Sequence, residues 1–443
     1  MEWQGLPVTV AGAGVSGTAA ARVLRDLGAR VTVVDDKAED LDEFPVQRSL
    51  PDELGLVVTS PGFKPTVPML VEAASRGVEV IGEVELAWRL RGENAAPWLA
   101  LTGTNGKTTT VKMLESVLRA AGHRTISAGN VGLPLLEAVL DSYDVLAVEL
   151  SSFQLHWSST VRPHTGAILN LADDHTDWHG SFDEYAKAKA RIFDADVSVG
   201  NADDAVVRGL LEGAREAKVQ FTLQSPKPGE VGVVEHLLVD RAFADVPGEA
   251  TALADLDDIP VPGDHNVANA LAAATMARSF GVPAEAVAEG LRTFVPDPHR
   301  NALVATVDEV AWVDDSKATN PHAAAASLAA YPSIVWVAGG LLKGADVDDL
   351  VRQAVPRLRA VVLLGTDRAV LREALERHAP DVPVVEVSRL DTEAMQEVVA
   401  AARSLARPGD TVLLAPAAAS MDCFKDYKQR GDLFASAVEA LAP

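Results

Sequence analysis

The chain has 443 residues, 48% of them hydrophobic, enough for about three packed domains. Its formal net charge of −24 speaks against nucleic acid, whose phosphates are met by clustered lysine and arginine, although a few local cations and helix N-termini can still hold a small anion. The single cysteine, Cys423, precludes an internal disulfide, no apolar run reaches the roughly 20 residues of a membrane span, and Met1-Glu2-Trp3-Gln4-Gly5 is unlike a signal peptide, so a cytoplasmic protein is expected.

Short runs rich in valine and leucine alternate with longer amphipathic stretches. Val8–Ala11, Val31–Val34, Val145–Val148, Ile334–Ala338, Ala360–Leu364 and Val412–Leu414 are examples. The alternation predicts βαβ units and mostly parallel sheets. After Val8–Ala11 comes Gly12-Ala13-Gly14-Val15-Ser16-Gly17, and Asp35 and Asp36 end the next strand. This is the Gly-x-Gly-x-x-Gly fingerprint of a dinucleotide site, and alone it predicts NAD. Its physical content is broader: a diphosphate at a helix N-terminus with a polar partner on the next strand, which a UDP-linked sugar also satisfies. A tight βα turn without a ligand is the plain alternative. Ser60-Pro61-Gly62 follows strand Leu56–Thr59, at an end where ligands of open sheets collect.

Polar Arg91–Pro97 reads as a linker. Strand Trp98–Leu101 then runs into Thr102-Gly103-Thr104-Asn105-Gly106-Lys107-Thr108, with a helix from Lys107 to about Ala121. Such a turn offers backbone N–H groups to phosphate, Lys107 can reach the β- and γ-phosphates, and Thr108 can ligate Mg²⁺. The spacing is two residues shorter than the standard phosphate loop, so an ordinary helix start with an incidental Gly-Lys-Thr is the competing reading. Glu149 ends strand Val145–Val148, where a carboxylate can face a site or simply be solvated. His175 follows an expected strand Ala167–Leu171, and Gly229–Leu256 reads as a β-meander. Asn266 and Asn269 stand one turn apart on an expected helix Val267–Arg278, which Asn266 could instead cap. Val295–His299, with two prolines, reads as a second linker before strands Leu303–Thr306 and Val310–Val313. Three α/β domains follow: 1–95, 96–298 and 299–443.

Several segments in fixed order make the reading specific. They are Gly103–Thr108, Gly129-Asn130-Val131-Gly132, Glu149-Leu150-Ser151-Ser152-Phe153-Gln154-Leu155, Asp174-His175-Thr176-Asp177, Tyr185–Arg191, Gly263–Asn266, Pro298-His299-Arg300, Asp314–Asn320 and Ser420–Arg430. Through them the whole chain resembles the Mur ligase family, whose phosphate loop is the same shortened variant. The Glu149–Leu155 and Asp315–Asn320 segments are similar to the branch that adds D-glutamate. No Asp-Asn-Pro-Arg, the mark of the diaminopimelate- or lysine-adding branch, is found, and the alanine-adding branch carries Glu-Ala-Asp-Glu-Ser-Asp where this chain has Glu149–Phe153. Folate polyglutamate ligases share the loop but lack a Rossmann-like N-terminal domain.

The resemblance implies an α/β fold of three domains: a Rossmann-like UDP-sugar domain, a central P-loop-type ATPase domain with a mostly parallel sheet, and a Rossmann-like C-terminal domain for the amino acid. It implies that ATP phosphorylates the alanine carboxylate of UDP-N-acetylmuramoyl-L-alanine and that D-glutamate attacks the acyl phosphate. The implied catalytic residues are Lys107, Glu149, His175 and Lys189. ATP would meet Gly103, Thr104, Asn105, Gly106, Lys107, Thr108, Thr109, Asn266, Asn269, Arg300, Asp315 and Lys317. The UDP-sugar would meet Gly14, Val15, Ser16, Gly17, Asp35, Asp36, Ser60, Asn130 and His175. D-glutamate would meet Thr319, Lys343, Ser420 and Tyr427, the last replacing a frequent phenylalanine. Two Mg²⁺ ions would be held by Thr108, Glu149, His175 and Lys189, the lysine as a CO₂-derived carbamate; Lys187, two residues away, reads as a surface lysine. His299 ranks low as a proton acceptor, and Cys423 reads as packing. A monomer is expected. The rivals are the alanine-adding activity, an NAD-dependent oxidoreductase built on Gly12–Gly17, and a nonenzymatic nucleotide-binding scaffold.

Overall fold

A computed structural model describes residues 2–36, 43–92, 94–244, 246 and 248–441. Glu93 of the expected first linker and Asp245 and Pro247 of the expected meander lie outside the described residues. The alternating pattern forms three separate sheets. The first runs in the order Val46–Gln47, Arg30–Val34, Pro7–Ala11, Leu56–Thr59, Val80–Gly82, all parallel. The loops after Pro7–Ala11, Arg30–Val34 and Leu56–Thr59 therefore share one edge of the sheet.

The second sheet orders Thr251–Asp255, Leu237–Asp240, Glu230–Val234, Ala217–Phe221, Val197–Asn201, Thr165–Ile168, Trp98–Thr102, Val145–Glu149 and Thr125–Gly129. Its expected meander forms, with antiparallel pairing from Glu230–Val234 through Thr251–Asp255; the other pairs are parallel. Trp98–Thr102 is buried along its whole length, as a central parallel strand covered on both faces must be. The third sheet orders Ala302–Val307, Val310–Asp314, Thr411–Leu414, Ile334–Gly339, Leu358–Leu364 and Val384–Glu386, parallel except for the first hairpin.

Met1–Asp258 with Ala268–Phe294 make one compact unit, and Ile259–Val267 with Val295–Pro443 a second. Inside the first unit a buried carboxylate ties the first sheet's body to the second. Glu85, on helix Glu83–Leu90, accepts from the backbone N–H of Ser159 (2.8 Å) and Thr160 (2.9 Å), the Thr160 hydroxyl (2.6 Å) and Arg89 Nε (2.8 Å). Neighbouring Glu83 accepts from Gln154 Nε2 at 3.2 Å.

Two expected bounds move. The strand expected at 167–171 runs Thr165–Ile168, because Asn170 and Leu171 turn away to bond Asn105 and Asp204. The helix expected from Val267 begins at Asp264, so Asn266 lies in its first turn rather than capping it, and its Nδ2 donates to Pro262 O at 2.8 Å.

Candidate active site

The turn after Trp98–Thr102 is shaped by side chains reaching it from neighbouring strand ends. Gly106 has φ +80, and a Cβ there would sit 2.3 Å from Asn269 Oδ1, so conformation and space both demand glycine. Asn170 brackets Asn105 with its amide, accepting from the backbone N–H (2.9 Å) and donating to the carbonyl (3.1 Å). The Thr104 hydroxyl accepts from Ala172 N at 3.0 Å and meets the Tyr185 hydroxyl at 2.8 Å. Helix Lys107–Ala120 starts directly after this turn, aiming its N-terminal dipole into the loop.

Around the loop the second sheet brings five expected residues together: Lys107, Thr108, Asn130, Glu149 and Lys189. Glu149 is 1% exposed at the end of its strand; Oε2 accepts from Thr108 Oγ1 (2.9 Å) and Oε1 from Asn130 Nδ2 (2.7 Å). Lys189, 2% exposed on helix Phe182–Ala190, donates to Thr102 Oγ1 (3.0 Å) and Gly103 O (2.9 Å). Lys107 Nζ donates to the same Gly103 carbonyl and to Thr104 O, each at 2.8 Å. Two amines thus converge on one oxygen. Burial first, and then the Lys107 charge, hold the Lys189 amine well below the ordinary lysine range. Lys187 faces solvent and pairs with Glu184 at 2.7 Å.

His175 stands apart from these contacts, at φ +54 before the short helix Thr176–His179, with 46% of its side chain exposed. Its ring packs 4.8 Å from Phe153 and 6.4 Å from Tyr185. Partial burial lowers its pKa; Lys107 and Lys189 add to that and Asp174 opposes it. The next residues tie this loop to the Ser60–Gly62 turn of the first sheet. Trp178 Nε1 donates to Gly62 O (3.2 Å) and Lys64 Nζ to Asp177 O (2.6 Å).

At the first sheet's edge the glycine turn opens helix Val15–Asp26. A Cβ on Gly17 would lie 1.8 Å from Gly12 O and one on Gly12 2.5 Å from Ser60 Oγ, whereas one on Gly14 would meet nothing. Gly12 and Gly17 close the turn; Gly14 and Val15 are exposed and Ser16 is half-buried. Asp35 Oδ2 accepts from Ala13 N at 3.0 Å, bracing the turn; Asp36 is exposed. Asn269, 5% exposed, accepts from Thr110 Oγ1 at 3.1 Å beside Gly106, while Asn266 keeps to Pro262. Thr109 is half-buried.

In the second unit five of the remaining candidates sit on loops after adjacent strands of the third sheet, while Arg300 precedes strand Ala302–Val307 and Tyr427 opens helix Tyr427–Glu439. Asp315, Lys317 and Thr319 follow Val310–Asp314, Ser420 follows Thr411–Leu414, and exposed Lys343 follows Ile334–Gly339. Backbone bonds join the loops: Leu341 N to Ala419 O (2.8 Å), Ala419 N to Leu341 O (3.0 Å) and Ala417 N to Ala318 O (2.9 Å). Burial pushes the Asp315 carboxyl up to about 6. Arg300 lies 3.9 Å from Asp297. Tyr427, expected with D-glutamate, packs under Lys317 (4.1 Å) and beside His299 (6.4 Å). His299 Nδ1 meets Asp314 Oδ2 at 2.6 Å, and this bond raises its pKa.

Motif reading passed over Asn170 and quoted Thr102 and Tyr185 within motifs without giving them a role; all three shape the loop. The usable signal was a polar side chain at the carboxyl end of an apolar strand. It also gave no role to Arg430 of the Ser420–Arg430 segment, fully buried, whose guanidinium donates to Ser316 Oγ (2.9 Å), Ser316 O (2.8 Å) and Ala418 O (3.1 Å).

A chain from Thermobifida fusca named UDP-N-acetylmuramoylalanine--D-glutamate ligase is 58% identical over 465 residues, covering 100% of both chains. This chain belongs to the Mur ligase family. Residues 101–277 match the Mur ligase middle domain and 299–418 the Mur ligase, glutamate ligase domain; residues 4–51 match the alanine dehydrogenase/PNT C-terminal domain. Relatives with the same name from Streptomyces coelicolor (57% identical, 99% of each chain covered) and Mycolicibacterium smegmatis (48%, 98% of this chain and 97% of that one) extend the Mur ligase likeness. Solved structures share the fold. MurF from Acinetobacter baumannii aligns with TM-score 0.62 at 21% identity over 97% of this chain and 91% of that one. UDP-N-acetylmuramate-alanine ligase MurC from Thermotoga maritima aligns with TM-score 0.59 at 20% identity, over 98% and 99%. Among the described residues no helix is long and apolar enough to cross a membrane.

Proposed function

We propose that this chain is an ATP-dependent ligase that joins D-glutamate to UDP-N-acetylmuramoyl-L-alanine during peptidoglycan precursor synthesis in the cytoplasm. The names carried by its full-length relatives support this reading. The observation that carries it is the cluster at the phosphate loop. There a buried carboxylate, Glu149, faces the Thr108 hydroxyl while Lys107 and Lys189 converge on the Gly103 carbonyl beside a helix N-terminus. Such a cluster suits transfer of a γ-phosphoryl group to an anionic acceptor, where the Lys107 charge and a bound cation would offset repulsion.

In this reading the UDP diphosphate lies at the start of helix Val15–Asp26, with Asn130, Ser60 and the His175 loop orienting the muramoyl-alanine end. A carboxylate oxygen of the alanine attacks the γ-phosphorus and ADP leaves. The D-glutamate nitrogen then attacks the acyl carbon, the carbon–oxygen bond to phosphate breaks, and one proton is released. Thr319, Lys343 and Ser420 hold the incoming amino acid, with Tyr427 at their edge. Asp315, Lys317, Arg300, Asn266 and Asn269 serve the nucleotide. Residues 1–95, 96–298 and 299–443 are the corresponding domains of a monomer.

The donor set fits Mg²⁺. Among the described residues no three His, Cys, Asp or Glu side chains converge as a ready-made metal site. Glu149, Thr108 and His175 supply one anionic oxygen, one hydroxyl and one imidazole, so a second anionic donor is wanted. A Lys189 carbamate would provide it, and burial, which lowers the basicity of that amine, favours the neutral form that adds to CO₂. Bound there, the cation would neutralise charge between carboxylate and triphosphate.

The test is phosphate release from ATP with UDP-N-acetylmuramoyl-L-alanine. Release should require D-glutamate, and NAD(H) should not bind. Release equally strong with L-alanine would break the assignment.

A further inference from the structure

We propose that His179 is a positioning residue that holds the Glu149 strand end and the His175 ring in register through Ser152 and Phe153. This inference rests on the ligase reading above. His179 closes the helix Thr176–His179, and its backbone N–H donates to His175 O at 3.0 Å. Its ring nitrogen Nε2 lies 3.0 Å from Ser152 Oγ. Ser152 is 2% exposed, and among the described residues its hydroxyl has no other hydrogen-bond partner. It opens helix Ser152–His156, fastened by a Ser151–Gln154 capping box, three residues after Glu149. The His179–Ser152 bond therefore fixes the turn through which the Glu149 strand leaves the sheet.

The ring's faces hold the other half. It stacks on Phe153 (5.6 Å, 11°) and meets Tyr185 edge-on (5.4 Å, 69°). Phe153 and Tyr185 are the rings against which the half-exposed His175 packs, and the Tyr185 hydroxyl reaches Thr104 of the phosphate loop at 2.8 Å. One imidazole thus supports both rings beside His175 and the turn beyond Glu149. A steady bond to a rotatable hydroxyl calls for one imidazole tautomer, with Nε2 facing the Ser152 oxygen.

Two substitutions separate the functions of the ring. His179→Phe keeps the stack and loses the hydrogen bond; His179→Gln keeps a polar end and loses the stack. Each should lower kcat about tenfold, as loss of a supporting partner behind a ligand does, with KM for D-glutamate within about twofold and melting temperature nearly unchanged. Ser152→Ala should give a similar loss, and Ser152→Ala with His179→Phe no more than either alone, the mark of one shared contact. Nitrogen-15 NMR should find a single His179 tautomer in the wild type and averaging in Ser152→Ala. Folded His179 variants with wild-type kcat, losses that multiply in the double variant, or averaged tautomers in the wild type would overturn the inference. If His179→Phe does not fold, wild-type kcat in Ser152→Ala overturns it equally. The ligase reading fails separately, through absent D-glutamate-dependent phosphate release in the wild type; the tautomer measurement still judges the contact in that case.

Discussion

Replacing Glu85 by alanine removes the carboxylate that ties the first two sheets together. Four donors point at it: two backbone N–H groups, one hydroxyl and one guanidinium. Arg89 keeps a second partner in Glu79, and the Thr160 hydroxyl can rotate toward other acceptors. The Ser159 and Thr160 N–H groups cannot move, and each orphaned donor costs about 1–3 kcal/mol. The sum is about 4 kcal/mol, which at roughly 2 °C per kcal/mol lowers the melting temperature by about 8 °C. Glu85→Gln keeps one acceptor and should lose about half as much. Burial raises the Glu85 pKa, but the bonds from Thr160, Ser159 and Arg89 together outweigh it, and the net shift is downward. Its contribution is therefore complete above the unfolded glutamate pKa of roughly 4.3 and fades as pH falls through the lower folded value. Differential scanning fluorimetry of wild type, Glu85→Gln and Glu85→Ala from pH 8 to well below the unfolded glutamate pKa, about pH 3, reads both effects. A Glu85→Ala melting temperature within 2 °C of wild type at pH 7 would refute the reasoning, as would a gap that widens toward acid.

Lys189→Ala should abolish measurable turnover, and short-chain carboxylic acids should restore part of it by placing a carboxylate where the carbamate stood; full activity without rescue would remove the carbamate from the mechanism. Gly106→Ala sets a Cβ 2.3 Å from Asn269 Oδ1 at φ +80, so ATP affinity measured by calorimetry should fall at least tenfold, and unchanged affinity would mean that this turn does not hold the nucleotide.

The elements that lie deepest were legible first. Trp98–Thr102 and Ile334–Gly339 are continuous apolar runs because both their faces are covered, and such runs leave a plain mark in sequence. The strand expected at 167–171 was drawn too long because Leu169 and Leu171 look like strand residues. Asn170, between them, carries the bonds that end the strand, and a single polar residue gives no warning of its partner 65 positions away. The phosphate loop, Glu149 and Lys189 were found by motif. The convergence of Lys107 and Lys189 on one carbonyl was not, since it depends on how helix Phe182–Ala190 lies over the sheet. Glu85 was invisible for a related reason. An acidic residue on an amphipathic helix reads as solvated, and only the arrival of Ser159 and Thr160 reveals it as buried.

The contact between Thr108 and Glu149 has a consequence for how fast the site can be armed. Both oxygens of the carboxylate are already engaged, by a hydroxyl and by an amide, so its aim is set before any substrate arrives. On the reading proposed above, a cation accepted there would require no rebuilding of the backbone. Thr108 has only to swing its proton away about one C–O bond and turn a lone pair inward, a torsional step on the picosecond-to-nanosecond scale of side-chain motion. The resting pair behaves as a latch under light spring load, closed on itself when idle and released by a single bond rotation.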